Sequence, residues 1–143
     1  MGLDESRAAD QALAFVGGLL SPRGGRVTLM TAVQLMAIPS RRTMTRGLAS
    51  EIRRMNTVRG RTAMRKLDRA AARLKRRGWH TRTMITNGEP LRDLLAVVAK
   101  ERANLLVVGA RSTTGVRHLL LGSVAEGALN RCPVPVVVAR RTG

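Results

Sequence analysis

Length, composition and charge limit what this chain can be. Its 143 residues are the size of one domain and 44% of them are apolar, so we expect a single globular domain over residues 1–143. Aromatic residues make up 1%, and a net charge of +17 arises from 26 Lys and Arg against 9 Asp and Glu. The single cysteine excludes an internal disulfide. Because no apolar run approaches the ~20 residues that span a bilayer and Asp4 and Glu5 do not suit a signal peptide, we expect a cytoplasmic protein without membrane insertion.

The first half of the chain alternates between helical and extended patterns. Residues 4–20 carry apolar side chains at helical spacing, and residues 26–35 form a β-rich apolar segment typical of a buried strand. The stretch 37–60 has weak periodicity and is interpreted as a mobile crossover that is partly helical. From Thr62 a clear apolar face predicts a helix, which Gly78 ends.

The second half continues the alternation. Residues 79–86 are predicted as a strand, and Pro90 lies at or just before the start of an amphipathic helix. Residues 104–109 contain a continuous apolar run of the kind found in parallel sheets. A helix from Ser123 and a last strand over 134–139 follow. The order α-β-α-β-α-β-α-β predicts an open parallel sheet with helices on both faces, although such sheets usually begin with a strand.

The segment from Gly109 to Glu126 carries the clearest chemical signal. It leaves the carboxyl end of a buried strand, where open α/β sheets bind ligands. Free N–H groups at the start of the helix at Ser123 favour an anion such as phosphate, and Arg111 adds positive charge. Ser123 and Glu126 also match an S-x-x-E capping box, which explains the same residues without a ligand.

This segment resembles the signature of ATP-binding universal stress proteins, G-x2-G-x9-G-[ST]. Gly109 stands at the first glycine, and nine residues separate Ser112 from Gly122 and Ser123. The flanks are also similar to the family: residues 104–109 to its DLIVMG strand, 87–90 (NGEP) to its xGxP turn, and 132–138 (CPVPVVV) to its closing CPVLVV. The resemblance runs from about Gly2 to Arg140 and implies the family's Rossmann-like α/β fold.

Two departures from the family pattern modify what the resemblance implies. Ser112 replaces the second glycine, and if that position needs a positive φ, serine costs about 1 kcal/mol. The family opens with a strand that ends in an Asp-Gly-Ser-like turn, whose Asp helps to hold adenosine. Here residues 1–6 enter midway through that turn, with Met1 at about the position of the Asp. We therefore expect a domain that is N-terminally truncated relative to the family and lacks its first strand, which leaves a slot between the strands at 26–35 and 104–109.

The resemblance implies a weakened ATP site built from separate parts of the chain. Ala32 or Val33 would lie near the adenine. Phosphate and ribose contacts fall on Gly109, Arg111, Ser112, Gly122, Ser123 and Val124. Because no general base can be nominated, the expected function is nucleotide binding in stress response or signalling rather than catalysis, with at most slow ATP hydrolysis. His80, His118 and Cys132 do not have metal-ligand spacing, so no metal site is predicted.

Two functions other than nucleotide binding remain open. The altered loop and the missing Asp are also compatible with a regulatory or structural family member that binds no nucleotide. The segment 41–77 holds 14 of the 26 Lys and Arg and is compatible with binding RNA, DNA or anionic lipid through phosphate contacts. The lack of interleaved aromatic residues favours a solvated helix face instead.

We expect a homodimer through the apolar strand 134–139, because its outer edge is open and the family often pairs this strand.

Overall fold

Four helices alternate with four strands in the computed structural model of the chain, which describes residues 1–3, 7–19, 21–22, 24–38, 46–110 and 121–140. The elements are α1 (Arg7–Leu19), β1 (Arg26–Ala32), α2 (Arg46–Lys75), β2 (His80–Thr86), α3 (Pro90–Lys100), β3 (Leu106–Gly109), α4 (Ser123–Arg131) and β4 (Val136–Ala139). Their order is the predicted one.

All strand pairs are parallel, but the sheet is divided into two halves. β1 pairs with β2 from Arg26 opposite His80 to Ala32 opposite Thr86. β3 pairs with β4 over Leu106–Gly109. Within the described residues β1 and β3 are not hydrogen-bonded to each other, so the predicted slot lies between them.

Residues 1–3 occupy part of this slot. The N–H group of Leu3 donates to the carbonyl oxygen of Met30 at 2.7 Å, and the N–H group of Met30 donates to that of Met1 at 2.9 Å. On the other side, Gly2 donates to the carbonyl oxygen of Val107 at 3.1 Å. The spatial order is therefore β2, β1, residues 1–3, β3 and β4, and the first residues form an isolated bridge rather than a strand.

The predicted position of Met1 was wrong. Its amino group donates to the carbonyl oxygen of Thr28 at 2.8 Å, which places Met1 beside the middle of β1. Met1 therefore lies before the carboxyl edge of the sheet. The family's Asp was expected at that edge. Asp4 lies outside the described residues.

The core lies on both faces of the sheet, because side chains alternate along β1 and β3. Leu29 and Val107 belong to a buried cluster with α1 and α2. Met30 and Val108 belong to a second cluster with α3 and α4. The prediction of helices on both faces of a parallel sheet is confirmed.

α2 is longer than the sequence analysis predicted. It begins at Arg46 and takes in part of the stretch 37–60 that was interpreted as a mobile crossover. Its first half buries Ile52, which is 6% exposed, and a single buried position produces no periodic pattern. Good helix-forming residues and an exposed ion pair between Glu51 and Arg54 at 2.6 Å support the helix there instead.

The strands are shorter than predicted. β4 begins at Val136 rather than at residue 134. Pro133 and Pro135 explain the later start, because proline has no N–H group to donate to a neighbouring strand. The carbonyl oxygen of Pro135 still accepts from Leu106 at 2.9 Å. β1 ends at Ala32, and residues 33–38 continue without a ladder.

Candidate functional site

The carboxyl ends of the strands meet at one edge of the sheet, at the point where the strand order reverses. β1 and β2 extend to one side of residues 1–3, and β3 and β4 extend to the other. In open α/β sheets ligands bind in the crevice at this switch point. The amino terminus of α4 lies at the same edge, because α4 connects the parallel strands β3 and β4.

Gly109 ends β3 on the second half-sheet. It lies opposite Ala139, and the next residue, Ala110, donates its N–H to the carbonyl oxygen of Ala139 at 2.8 Å. β4 therefore holds the backbone up to the point where the predicted phosphate loop begins. Arg111 and Ser112 were predicted as site residues, and they lie outside the described residues.

The start of α4 corrects the predicted capping box. Gly122 is the N-cap, with φ −64° and ψ 151°, and Ser123 is the first helical residue. Because glycine has no side chain, no cap side chain accepts from the first N–H groups of α4. The N–H of Glu126 donates to the carbonyl oxygen of Gly122 at 3.0 Å. In the described part of the chain the first turn thus has N–H groups that no cap side chain uses, whereas a serine cap would have used one of them.

Ser123 and Val124 face different surroundings in that turn. Ser123 is exposed, and Val124 is half-buried against the cluster that contains α3. Behind them Gly127 lies so close to Leu91 that a Cβ atom at this position would overlap its Cδ2. This contact seats α4 against α3 and positions its amino terminus.

Ala32 and Val33 lie on the first half-sheet, where the sequence analysis expected the adenine. Both are half-buried, and the N–H of Val33 donates to the carbonyl oxygen of Thr86 at 2.9 Å. They therefore present small apolar side chains beside the end of β2.

Thr86 was not among the predicted site residues. Its Oγ1 atom is buried and has no hydrogen-bond partner among the described residues. A buried hydroxyl without a partner costs about 1–3 kcal/mol, which marks this atom as unsatisfied at the edge of the sheet. The signal was present in the sequence, since Thr86 is the last residue of the predicted strand 79–86 and hence lies at the ligand-binding edge.

Burial lowers the pKa of the Met1 α-amino group from 8.0 to about 6. The cause is desolvation, which disfavours the charged form of an amine. A positive charge at the centre of the sheet is thus destabilised by the same core that surrounds the slot.

Two further classes of site find no support in the described residues. In that part of the chain no group of three or more His, Cys, Asp and Glu side chains is close enough to hold a metal ion. Nor does any helix there have an apolar stretch long enough to cross a bilayer. Cys132 is half-buried and packs against the cluster around α3 and α4.

The family model described as the universal stress protein family matches residues 1–140. The chain belongs to this family. Universal stress protein YxiE of Bacillus subtilis is 33% identical over 73 residues, which are 50% of this chain and 49% of that protein. Universal stress protein MJ0531 of Methanocaldococcus jannaschii is 30% identical over 82 residues, or 57% and 46% of the two chains. The matches thus span about half the length of these curated relatives.

Solved structures of universal stress proteins share the fold. The structure of MJ0577 from Methanocaldococcus jannaschii superposes with a TM-score of 0.81 at 20% identity and covers 99% of this chain and 94% of its own. A universal stress protein family protein from Arabidopsis thaliana with AMP bound gives 0.67 at 16% identity, over 99% and 90% of the two chains. The Archaeoglobus fulgidus universal stress protein in complex with dAMP gives 0.60 at 18% identity, over 96% and 93%.

Proposed function

We propose that this universal stress protein binds an adenine nucleotide at the carboxyl edge of its sheet and acts as a nucleotide-dependent regulator in stress response or signalling rather than as an enzyme. The observation that carries the proposal is the start of α4, where the glycine cap at Gly122 leaves N–H groups available at the switch point of the sheet. Structural neighbours with AMP and dAMP bound support an adenine nucleotide as the ligand class.

The phosphates are proposed to lie between the end of β3 and the first turn of α4. Gly109 ends the strand, and Gly122, Ser123 and Val124 begin the helix. Arg111 and Ser112 are proposed to complete this half from the connecting loop. ATP is the nucleotide we expect, held more weakly than in family members with a glycine in place of Ser112.

The adenosine is proposed to lie against the first half-sheet. Ala32 and Val33 offer apolar surface for the base, and the buried Oγ1 of Thr86 offers a hydrogen-bonding group. Asp4 directly follows Leu3, whose N–H pairs with Met30 two residues before β1 ends. We therefore assign the adenosine-side carboxylate, which the sequence analysis took to be missing, to Asp4.

Calorimetric titration of the full chain with ATP, and then with AMP, tests this proposal. A valine at Gly122 places a branched side chain where the phosphate must approach the first turn of α4, so Gly122→Val abolishes binding. Gly60→Val is the matched control, because a Cβ atom at Gly60 has no neighbour within 4 Å. It should bind as the parent does. Ser112→Gly should tighten binding of ATP, and Asp4→Asn should weaken both nucleotides.

Two results would overturn the proposal. If the Ser112→Gly protein binds neither nucleotide at millimolar concentration, the chain is a family member that binds no adenine nucleotide. If Gly122→Val binds as well as Gly60→Val, the nucleotide is held elsewhere than at α4.

A further inference from the structure

A groove with one basic wall runs between α1 and α2, on the sheet face opposite α3 and α4. It consists of two cavities of about 560 Å³ and 350 Å³ that share Leu13 and Arg73 as lining residues. The two cavities therefore adjoin each other along the helix pair. The groove is distinct from the carboxyl edge that carries the proposed nucleotide site.

The α2 wall of the groove is a row of arginines. Arg65, Arg69 and Arg73 are exposed and recur every four residues, which repeats a positive charge about every 6 Å along one side of the helix. Arg77 extends the row by one more step, and its Nη1 donates to the carbonyl oxygen of Gly17 at 2.5 Å. The row spans about 18 Å from its first to its last member.

The α1 wall supplies little negative charge to balance this row. It consists of small and apolar residues such as Ala9, Leu13 and Gly17, and among the described residues that line the two cavities Asp10 is the one acidic side chain. Five arginines and one lysine against one aspartate among the described lining residues create a positive potential inside a concave surface, which concentrates anions more strongly than the same charges on a convex helix.

The surroundings of the row favour a nucleic acid over a membrane. A membrane-bound basic helix must insert an apolar face beside its charges. The apolar face beneath the row is packed against the core, because Leu67 and Leu74 are each 1% exposed, and the exposed apolar side chain next to the row is Met64, at 42%. The charges therefore remain as the surface that a partner meets.

A duplex is favoured over a single strand. Proteins that hold single strands stack bases on exposed aromatic side chains. The chain has one Trp and one Phe. Trp79 is 8% exposed, and Phe15 packs against the core cluster of α1 and α2, so neither offers a stacking platform.

We propose that the groove between α1 and α2 binds the phosphodiester backbone of a nucleic-acid duplex through Arg65, Arg69, Arg73 and Arg77, without reading the bases. The 18 Å row matches about half of the ~34 Å helical turn of a duplex. Such binding depends steeply on salt, because each neutralised phosphate contributes a slope of about −0.9 to log K against log salt concentration.

Fluorescence anisotropy of the full chain with a random-sequence DNA duplex of about two helical turns tests this. The variant Arg65→Gln/Arg69→Gln/Arg73→Gln should bind at least tenfold more weakly. Its salt dependence should be shallower than that of the parent by about 2–3 in slope. Arg26→Gln/Lys100→Gln/Arg131→Gln removes the same charge from exposed positions outside the groove and should keep most of the affinity. Arg65→Lys/Arg69→Lys/Arg73→Lys should bind the duplex about as tightly as the parent, because a lysine charge is sufficient to pair with a phosphate.

Two results would overturn the proposal. If the groove variant and its charge-matched control lose affinity equally, binding follows net charge and the groove has no role. If the chain binds vesicles of phosphatidylserine and phosphatidylcholine but not the duplex, the partner is a membrane surface. A thermal unfolding curve of each variant that matches the parent shows that the loss of binding is not loss of fold.

Discussion

The N–H group of Gly2 donates to the carbonyl oxygen of Val107 at 3.1 Å, and this bond ties the first residues of the chain to β3. Because residues 1–3 also pair with β1, they join the two half-sheets. Replacing Gly2 with proline removes the donor and leaves the buried Val107 carbonyl without this partner. We expect the free energy of unfolding to fall by about 1–3 kcal/mol in urea.

Gly2→Ala is the control for this substitution. It keeps the N–H group, and its Cβ atom would lie 3.4 Å from Cδ1 of Leu94, which is an ordinary contact. Equal losses of stability for the alanine and proline variants would show that the hydrogen bond to Val107 does not hold the sheet together.

The stability of the chain that retains Met1 should depend on pH. The pKa of its α-amino group is about 6 in the folded state and 8.0 when unperturbed, so the unfolded chain binds more protons between these values. Stability therefore rises from pH 6 to pH 8, by at most about 2.7 kcal/mol. Urea unfolding across this range, repeated on N-terminally acetylated protein, isolates the effect. A pH dependence that acetylation leaves unchanged would assign it to other groups.

Gly25 should tolerate no side chain, because it lies against the indole of Trp79. A Cβ atom there would be 2.5 Å from Cζ3 of Trp79 and 3.1 Å from the carbonyl oxygen of Pro22. Gly25→Ala is expected to destabilise the fold by about 1–3 kcal/mol and to shift the tryptophan fluorescence. Gly47→Ala, in open space on α2, should instead raise stability by up to about 1 kcal/mol. The prediction fails if both substitutions act in the same direction.

Valine substitutions at Thr86 and Thr81 distinguish an effect on stability from an effect on nucleotide binding. Both have a buried Oγ1 atom without a hydrogen-bond partner in the described part of the chain, and they lie near opposite ends of β2. Substituting valine for either removes an unsatisfied hydroxyl and should leave stability equal or higher. Thr86→Val alone should weaken AMP binding several-fold in calorimetry. Equal affinity of the two variants would remove Thr86 from the proposed adenosine site.

The outer edge of β4 is expected to pair with a second copy of the chain. β4 pairs with β3 on one side, and Val136, Val137 and Val138 are half-buried rather than fully enclosed. Light scattering at tens of micromolar should give a dimer. Val138→Pro should give a folded monomer, because proline at this position removes a donor from the outer edge. A monomeric parent chain would contradict this.

The elements that could be predicted from the sequence are those with a clear pattern of apolar residues. The apolar run at 104–109 and the i, i+3, i+4 spacing after Pro90 specify β3 and α3 to within a few residues. The first half of α2 was missed, because among its described side chains Ile52 is the one that is buried, and one position leaves no periodic signal. The position of Met1 was wrong, because three residues are too few to show the alternation from which a strand register is read.

The candidate site was predictable to the extent that it follows from topology. Gly109 and Gly122 could be placed at the sheet edge, since the carboxyl ends of parallel strands share it. The serine cap could not be excluded in advance, because S-x-x-E fits both a cap at Ser123 and the observed helix, which begins one residue earlier with Gly122 as its cap. Thr86 could be placed at the same edge as the last residue of the predicted strand 79–86, but the burial of its Oγ1 atom could not be read from the sequence.

The divided sheet also makes the proposed ligand a mechanical part of the domain. Ala32 and Thr86 belong to one half-sheet, whereas Gly109 and the start of α4 belong to the other. A nucleotide that contacts both sides bridges the seam, so its binding energy adds directly to the cohesion of the two halves. If the proposed nucleotide binds there, we expect its occupancy to hold the two half-sheets together more tightly. A partner that senses how tightly the halves are held needs no contact with the nucleotide itself.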